Sequence, residues 1–310
     1  MAANVESMFY VRETPWHGLG TRVEETLTSK DALHAAGLNW RVLQKPVMTG
    51  DYRPIPGYKV NVRDSDNSVL GVVGDRYSIV QNDEAFAFTD VLLGEGVKYE
   101  TAGSLQGGRR VWILAKLPEK YIIGGESIEP YLVFSNSHDG SASMKVCMTP
   151  IRVVCQNTLN LALLQAKRTW SAKHTGNVQF RLHEAQETLG LAHLYMKNLG
   201  AEFNSLNKIK LSDAKVMDFI KGLLPLPDNA TATQRKNAHQ VREDMKMRYF
   251  DAPDLKDVGK NGFRFICAVS DFATHAKPLR ETSGYQENLF MKTTEGHPLT
   301  DKALIMLNAA

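Results

Sequence analysis

The chain has 310 residues, 43% apolar and 23% charged, which is ordinary globular usage; global disorder is excluded, and the length suffices for a sizeable core. No apolar run approaches the roughly 20 residues that span a bilayer. The net charge of +3 is uneven: residues 1–139 carry 14 Lys/Arg and 18 Asp/Glu (−4), whereas residues 140–310 carry 23 and 16 (+7).

The opening residues Met1–Ser7 lack the basic stretch and apolar core of a signal peptide. Three cysteines (Cys147, Cys155, Cys267) without clustered spacing suit a reducing compartment, so the expectation is a cytoplasmic protein. Asn39–Thr49 reads as an extended segment that Pro46 confines to an edge. Tyr58–Arg63 and Val69–Val80 flank the turn residues Asp64-Ser65-Asp66-Asn67 and predict a hairpin. Asn82 caps a short helix over Asp83–Leu93, with acids in its first turn. A second hairpin, Val97–Leu105 with Arg109–Leu117, turns at Gly107-Gly108. A third, Glu129–Asn136 with Ala142–Cys155, turns at His138-Asp139-Gly140.

The second half changes character. Asn157 or Thr158 can cap a helix through Ala166. In Arg181–Leu206 apolar residues recur at Leu182, Ala185, Leu189, Ala192, Met196, Leu199, Phe203 and Leu206, the seam of a long helix with a partner. Ser212 caps Asp213–Leu224, Thr231 opens a basic helix to about Phe250, and Phe263–His275 and Asp301–Leu307 are helical. The fold class is therefore α+β: an antiparallel hairpin sheet with helices in the N-terminal half and a mainly helical C-terminal half. The domains expected are 1–175, the sheet, and 176–310, helices packed on it.

Known catalytic patterns do not fit. The glycine pairs near Gly18-Leu19-Gly20 and Gly103–Gly108 lack the Lys-Ser/Thr of a phosphate-cradling loop, and His183-Glu184-Ala185-Gln186-Glu187 has Glu where a zincin needs its second His. No metal and no cofactor is expected. Cys155, at a strand-to-helix junction, is the one candidate nucleophile; His138 and Asp139 sit at the far end of its hairpin, where a turn role suffices for them. Trp16 and His17 read better as an edge plug than as a stacking platform.

The stronger signal is cationic. Between Asp139 and Glu184 there is no acidic residue, while Lys145, Arg152, Lys167, Arg168, Lys173 and Arg181 fall in that window. Such a stretch attracts phosphate, unless acids elsewhere in the fold balance it. Trp170, among these cations, is the candidate for stacking a base, and Arg76, Arg109 and Arg110 at hairpin turns extend the surface.

Four segments carry a resemblance: Pro15–Thr21 (PWHGLGT), Gly71–Asn82 (GVVGDRYSIVQN), Gly108–Trp112 (GRRVW), and His138-Asp139-Gly140 followed by Thr149–Leu159 (TPIRVVCQNTL). Together they resemble the DUF932 phage/plasmid-like proteins, with the likeness weakening after about residue 180. The resemblance implies a phage, prophage or plasmid setting and supplies no catalytic residues. There, a hairpin sheet with a basic stretch is similar in architecture to single-strand annealing proteins of the Rad52/RecT type, an analogy of fold only. The resulting expectation is a homo-oligomeric ring or filament that binds single-stranded DNA through Arg76, Arg109, Arg110, Lys145 and Arg152 on the sheet, with Lys167, Arg168, Trp170 and Lys173 at the rim. The alternatives are a protein-binding accessory or anti-defence factor, and a cysteine-dependent enzyme built on Cys155.

Overall fold

Period-two patterning around tight turns builds most of the β-structure, and the three expected hairpins are present. The computed structural model describes residues 5–11, 20–24, 28–93, 98–117, 121–123, 126–152, 157–158, 169–176, 182–280 and 297–309. In chain order the first strands are β1 Val5–Val11, β2 Thr21–Val23, β3 Val42–Met48, β4 Pro54–Arg63, β5 Val69–Gly74 and β6 Lys98–Leu105. They are followed by β7 Arg110–Lys116, β8 Tyr121–Ile123, β9 Glu126–Ser137, β10 Met144–Arg152, β11 Asn157–Thr158 and β12 Thr169–Ala172. The helices are α1 Ser29–Ala35, α2 Asn82–Leu93, α3 Leu182–Lys208, α4 Asp213–Leu223, α5 Ala232–Phe250, α6 Gly262–His275 and α7 Pro298–Asn308.

The larger sheet runs β11-β10-β9-β7-β6-β1-β2, with β12 on β10 and β8 on β9. All of its described pairings are antiparallel except the short β1–β2 pair. The smaller sheet, β3-β4-β5, puts Pro46 on an outer strand, where its missing N–H costs no ladder bond. Close approach of β1 to β6 requires Gly103, because a Cβ there would lie 2.3 Å from the Ser7 carbonyl oxygen.

The chain divides into two compact units, and their assignment alternates along the sequence where a single boundary near residue 175 was expected: one unit takes 1–119, 131–148 and 167–192, the other 120–130, 149–166 and 193–310. The first unit's core gathers Phe9, Tyr99, Ile113, Phe134 and Trp170. The second packs Phe203 against Phe263 and Phe219 against Phe265, with ring centroids 4.8 and 5.5 Å apart. The expected seam of α3 is buried at Ala185, Met196, Leu199, Phe203 and Leu206. No described helix is long and apolar enough to cross a membrane.

One element differs from expectation. Asn157 and Thr158, expected at the start of a helix, pair with Arg152 and Ile151 as the short strand β11. The helix expected through Ala166 lies beyond them, outside the described residues, as do Trp16, His17 and Cys155.

Candidate functional site

The turn that joins β9 to β10 organises the first unit's polar residues. Asp139 accepts from Ser137 Oγ (2.6 Å), Ser141 N (2.9 Å) and Ser141 Oγ (2.6 Å), an Asx-type arrangement that closes the turn. Gly71 of β5 lies directly against it: a Cβ there would sit 2.6 Å from the Asp139 Cα. Burial opposes ionisation of Asp139, but the Ser137 and Ser141 hydroxyls, the Ser141 amide and the Arg110 charge outweigh it and hold the carboxyl below its ordinary range.

His138 is wholly buried beneath the turn. Its N–H donates to the Arg109 carbonyl (2.7 Å), and its own carbonyl accepts from Asn61 Nδ2 (2.7 Å). Asn82 uses its Nδ2 to donate to the Leu38 carbonyl, so its Oδ1 faces His138 Nε2 as acceptor at 3.0 Å. That assigns the ring proton to Nε2 and leaves Nδ1 a lone pair without a hydrogen-bond partner. Desolvation, helped by nearby His174 and Arg63 and opposed by Asp139, drives His138 down to about 3. The imidazole is therefore neutral and donates inward, as a clasp does. It offers no base to a substrate.

A second layer holds the clasp. Tyr77 donates its hydroxyl to the Ser137 carbonyl (2.6 Å), and its ring stacks on His174 with centroids 4.7 Å apart. His174 Nδ1 reaches the Ser78 carbonyl (3.3 Å), and burial lowers its pKa. Arg63, almost fully buried, pairs with Glu6 (2.6 Å), donates to the Gly107 carbonyl (2.6 Å) and lies 4.9 Å over the Trp40 ring. It thereby pins the β6–β7 turn, where Gln106, Gly107 and Gly108 are all left-handed (φ 55°, 67° and 81°). Among the described residues no group of three or more His, Cys, Asp or Glu side chains forms a metal cluster.

Four of the expected cations adjoin this network. Arg109 is exposed and gives its carbonyl to His138; Arg110 donates to Ser141 Oγ at 3.2 Å. Arg76 and Lys173, both exposed, directly precede the stacked pair Tyr77 and His174. Asp75 precedes Arg76 in the chain and Asp139 closes the turn, while Glu6 and Asp66 pair with Arg63. Lys145 is half-buried on β10 opposite Ser171, and Arg152 is placed on β10 opposite Asn157. Lys167 and Arg168 fall outside the described residues.

Trp170 corrects the sequence reading. It is 6% exposed and stacks on Phe88 at 5.7 Å, so it serves the core and presents no face to a base. The reason is strand alternation: β12 points Trp170 and Ala172 inward and Thr169 and Ser171 outward. The residues that sequence reasoning missed are Trp40, Asn61, Arg63, Asn82 in its side-chain role, and His174.

A family described as a domain of unknown function, DUF932, matches residues 69–293. The chain belongs to that family. No curated protein and no solved structure matches it. In this DUF932 protein the matched region contains Tyr77, Arg109, Arg110, His138, Asp139 and His174, whereas Trp40, Asn61 and Arg63, which brace them, come from before it.

Proposed function

We propose that this DUF932 protein binds single-stranded nucleic acid, DNA in the first instance, by neutralising backbone phosphates at the β9–β10 turn, and that it works as a homo-oligomer in strand annealing. The observation that carries this reading is the grouping of Arg76, Arg109, Arg110 and Lys173 around one rigidly braced turn. Cations on a preorganised support lose little side-chain and loop freedom on binding, which favours affinity. With Trp170 in the core, binding rests on phosphate and is indifferent to sequence.

Alanine at all four positions is expected to weaken binding of a labelled single-stranded oligonucleotide by about tenfold or more at low salt, read by fluorescence anisotropy. Unchanged affinity in a folded quadruple variant would remove the turn from the interface. A protein-binding role is the second reading, and one feature favours it: the outer face of the β3-β4-β5 sheet exposes Leu43, Tyr58, Val69 and Val72.

A further inference from the structure

α5 begins with more order than its packing explains. Thr231 and Gln234 form a complete capping box, and Arg242 donates twice to the Leu224 carbonyl (3.0 and 2.6 Å). Yet the buried residues of this helix, Met245 and Tyr249, both lie in its second half. From Ala232 to Gln240 every residue is exposed except the half-buried Ala238. The described ion pairs made by α5 residues, Lys246–Glu243, Arg248–Asp244 and Arg248–Asp271, also belong to the second half. A helix segment that is polar all round and supported neither by a core nor by i,i+4 pairs is a candidate for meeting something polar.

Its chemistry specifies what. Between Asp228 and Glu243 there is no acid, while Arg235, Lys236, His239 and Arg242 fall within that span. Helical periodicity places Met245 and Tyr249 on the inner side and sets Thr233, Lys236 and Gln240 on the opposite one, with His239 and Asn237 at its two edges. Those side-chain types hydrogen-bond to base edges, and Arg235 and Asn237 flank them. Residues 232–242 extend about 16 Å, and a helix about 10–12 Å across fits a major groove about 12 Å wide.

We propose that the N-terminal half of α5 docks in the major groove of duplex DNA, a second nucleic-acid contact separate from the β9–β10 turn and carried by the other compact unit. Arg235, Lys236 and His239 give this half of the helix a positive charge that matches the groove walls, with Glu243 one turn beyond His239 and Arg242 held on the Leu224 carbonyl, and the outward side chains meet the base edges. The inference does not depend on the single-strand reading.

The test is anisotropy of the full chain on a labelled 20-base-pair duplex and on one of its strands alone, comparing wild type with the double variant Lys236→Glu/His239→Glu. Both positions are exposed, and an unchanged circular dichroism melt verifies the fold. Duplex affinity is expected to fall about tenfold or more, with single-strand affinity changing less than threefold. Three results overturn the proposal: no duplex binding by wild type at low salt, which would assign the face to another partner such as an acidic protein; equal losses on duplex and single strand, which would leave only general attraction; or no loss on either. A wild type that binds duplex but not single strand would sink the single-strand reading and leave this one standing.

Discussion

Arg264→Ala is expected to destabilise the helical unit by about 4 kcal/mol or more, among the largest effects a single substitution produces. The guanidinium is buried beneath α5 and donates to the carbonyls of Tyr249 (2.7 Å), Phe250 (3.2 Å), Leu255 (2.7 Å) and Val258 (2.7 Å). Two of these end α5, where carbonyls have no intrahelical donor. The others belong to the turn after it, including the 3-10 segment Pro253–Leu255. The same group lies 5.3 Å over the Tyr249 ring. Alanine strands the Tyr249, Phe250 and Val258 carbonyls at about 1–3 kcal/mol each, less than additively, leaves the Leu255 carbonyl with the Val258 N–H alone (3.0 Å), and opens a void. Lysine restores only part of this, since one ammonium cannot reproduce a planar fork that serves four acceptors. In differential scanning calorimetry the helical unit should melt about 10 °C or more lower in the alanine variant. A shift of a degree or two would mean that the turn after α5 holds without its clamp.

Stability should also fall as the pH drops below about 6.5. An unfolded histidine takes up its proton near 6.5, whereas folded His138 does so only near 3. Between those values the unfolded chain holds more protons than the folded one. The contribution is thus complete above pH 6.5 and is lost progressively down to about 3, at about 1.4 kcal/mol per pH unit. His174, depressed in the same direction by burial, steepens the fall. Urea midpoints measured at pH 7.5 and 5.0 should differ clearly in wild type. His138→Asn is expected to lower the midpoint at pH 7.5, by removing the bond to Asn82, while flattening the pH dependence. A variant that keeps the full wild-type slope would show that His138 is not the titrating group.

Local chemistry was legible in the sequence where neighbours in the chain are also neighbours in space. The turns at Asp64–Asn67, Gly107-Gly108 and His138–Gly140 announce their hairpins, and Thr231 and Ser212 announce their helices. What depends on distant partners was not. β1 pairs with β6 across nearly a hundred residues, with Ser7 Oγ 3.1 Å from Ser104 Oγ, and nothing local in Val5–Val11 marks that pairing. Trp170 misled because Lys167, Arg168 and Lys173 surround it in sequence, yet the period-two pattern of Thr169–Ala172 turns it inward.

The site divides along the same line. Arg109, Arg110 and the His138-Asp139-Gly140 turn are recognisable as motifs. Asn61, Asn82 and His174 are each routine polar residues until the fold brings them to one histidine or one tyrosine ring. Arg63 is equally plain in sequence, and only its burial against Glu6, Gly107 and Trp40 shows that it sets the turn that precedes the two arginines.

The most direct test of nucleic-acid binding at the β9–β10 turn is the salt dependence of single-strand affinity, followed by anisotropy from about 50 to 200 mM salt. Four phosphate contacts at about 0.7 counterion each give a slope of log K against log salt near −3 for wild type, reduced toward zero when Arg76, Arg109, Arg110 and Lys173 are alanine. A flat salt response in wild type, or the same steep slope in the variant, would contradict the account.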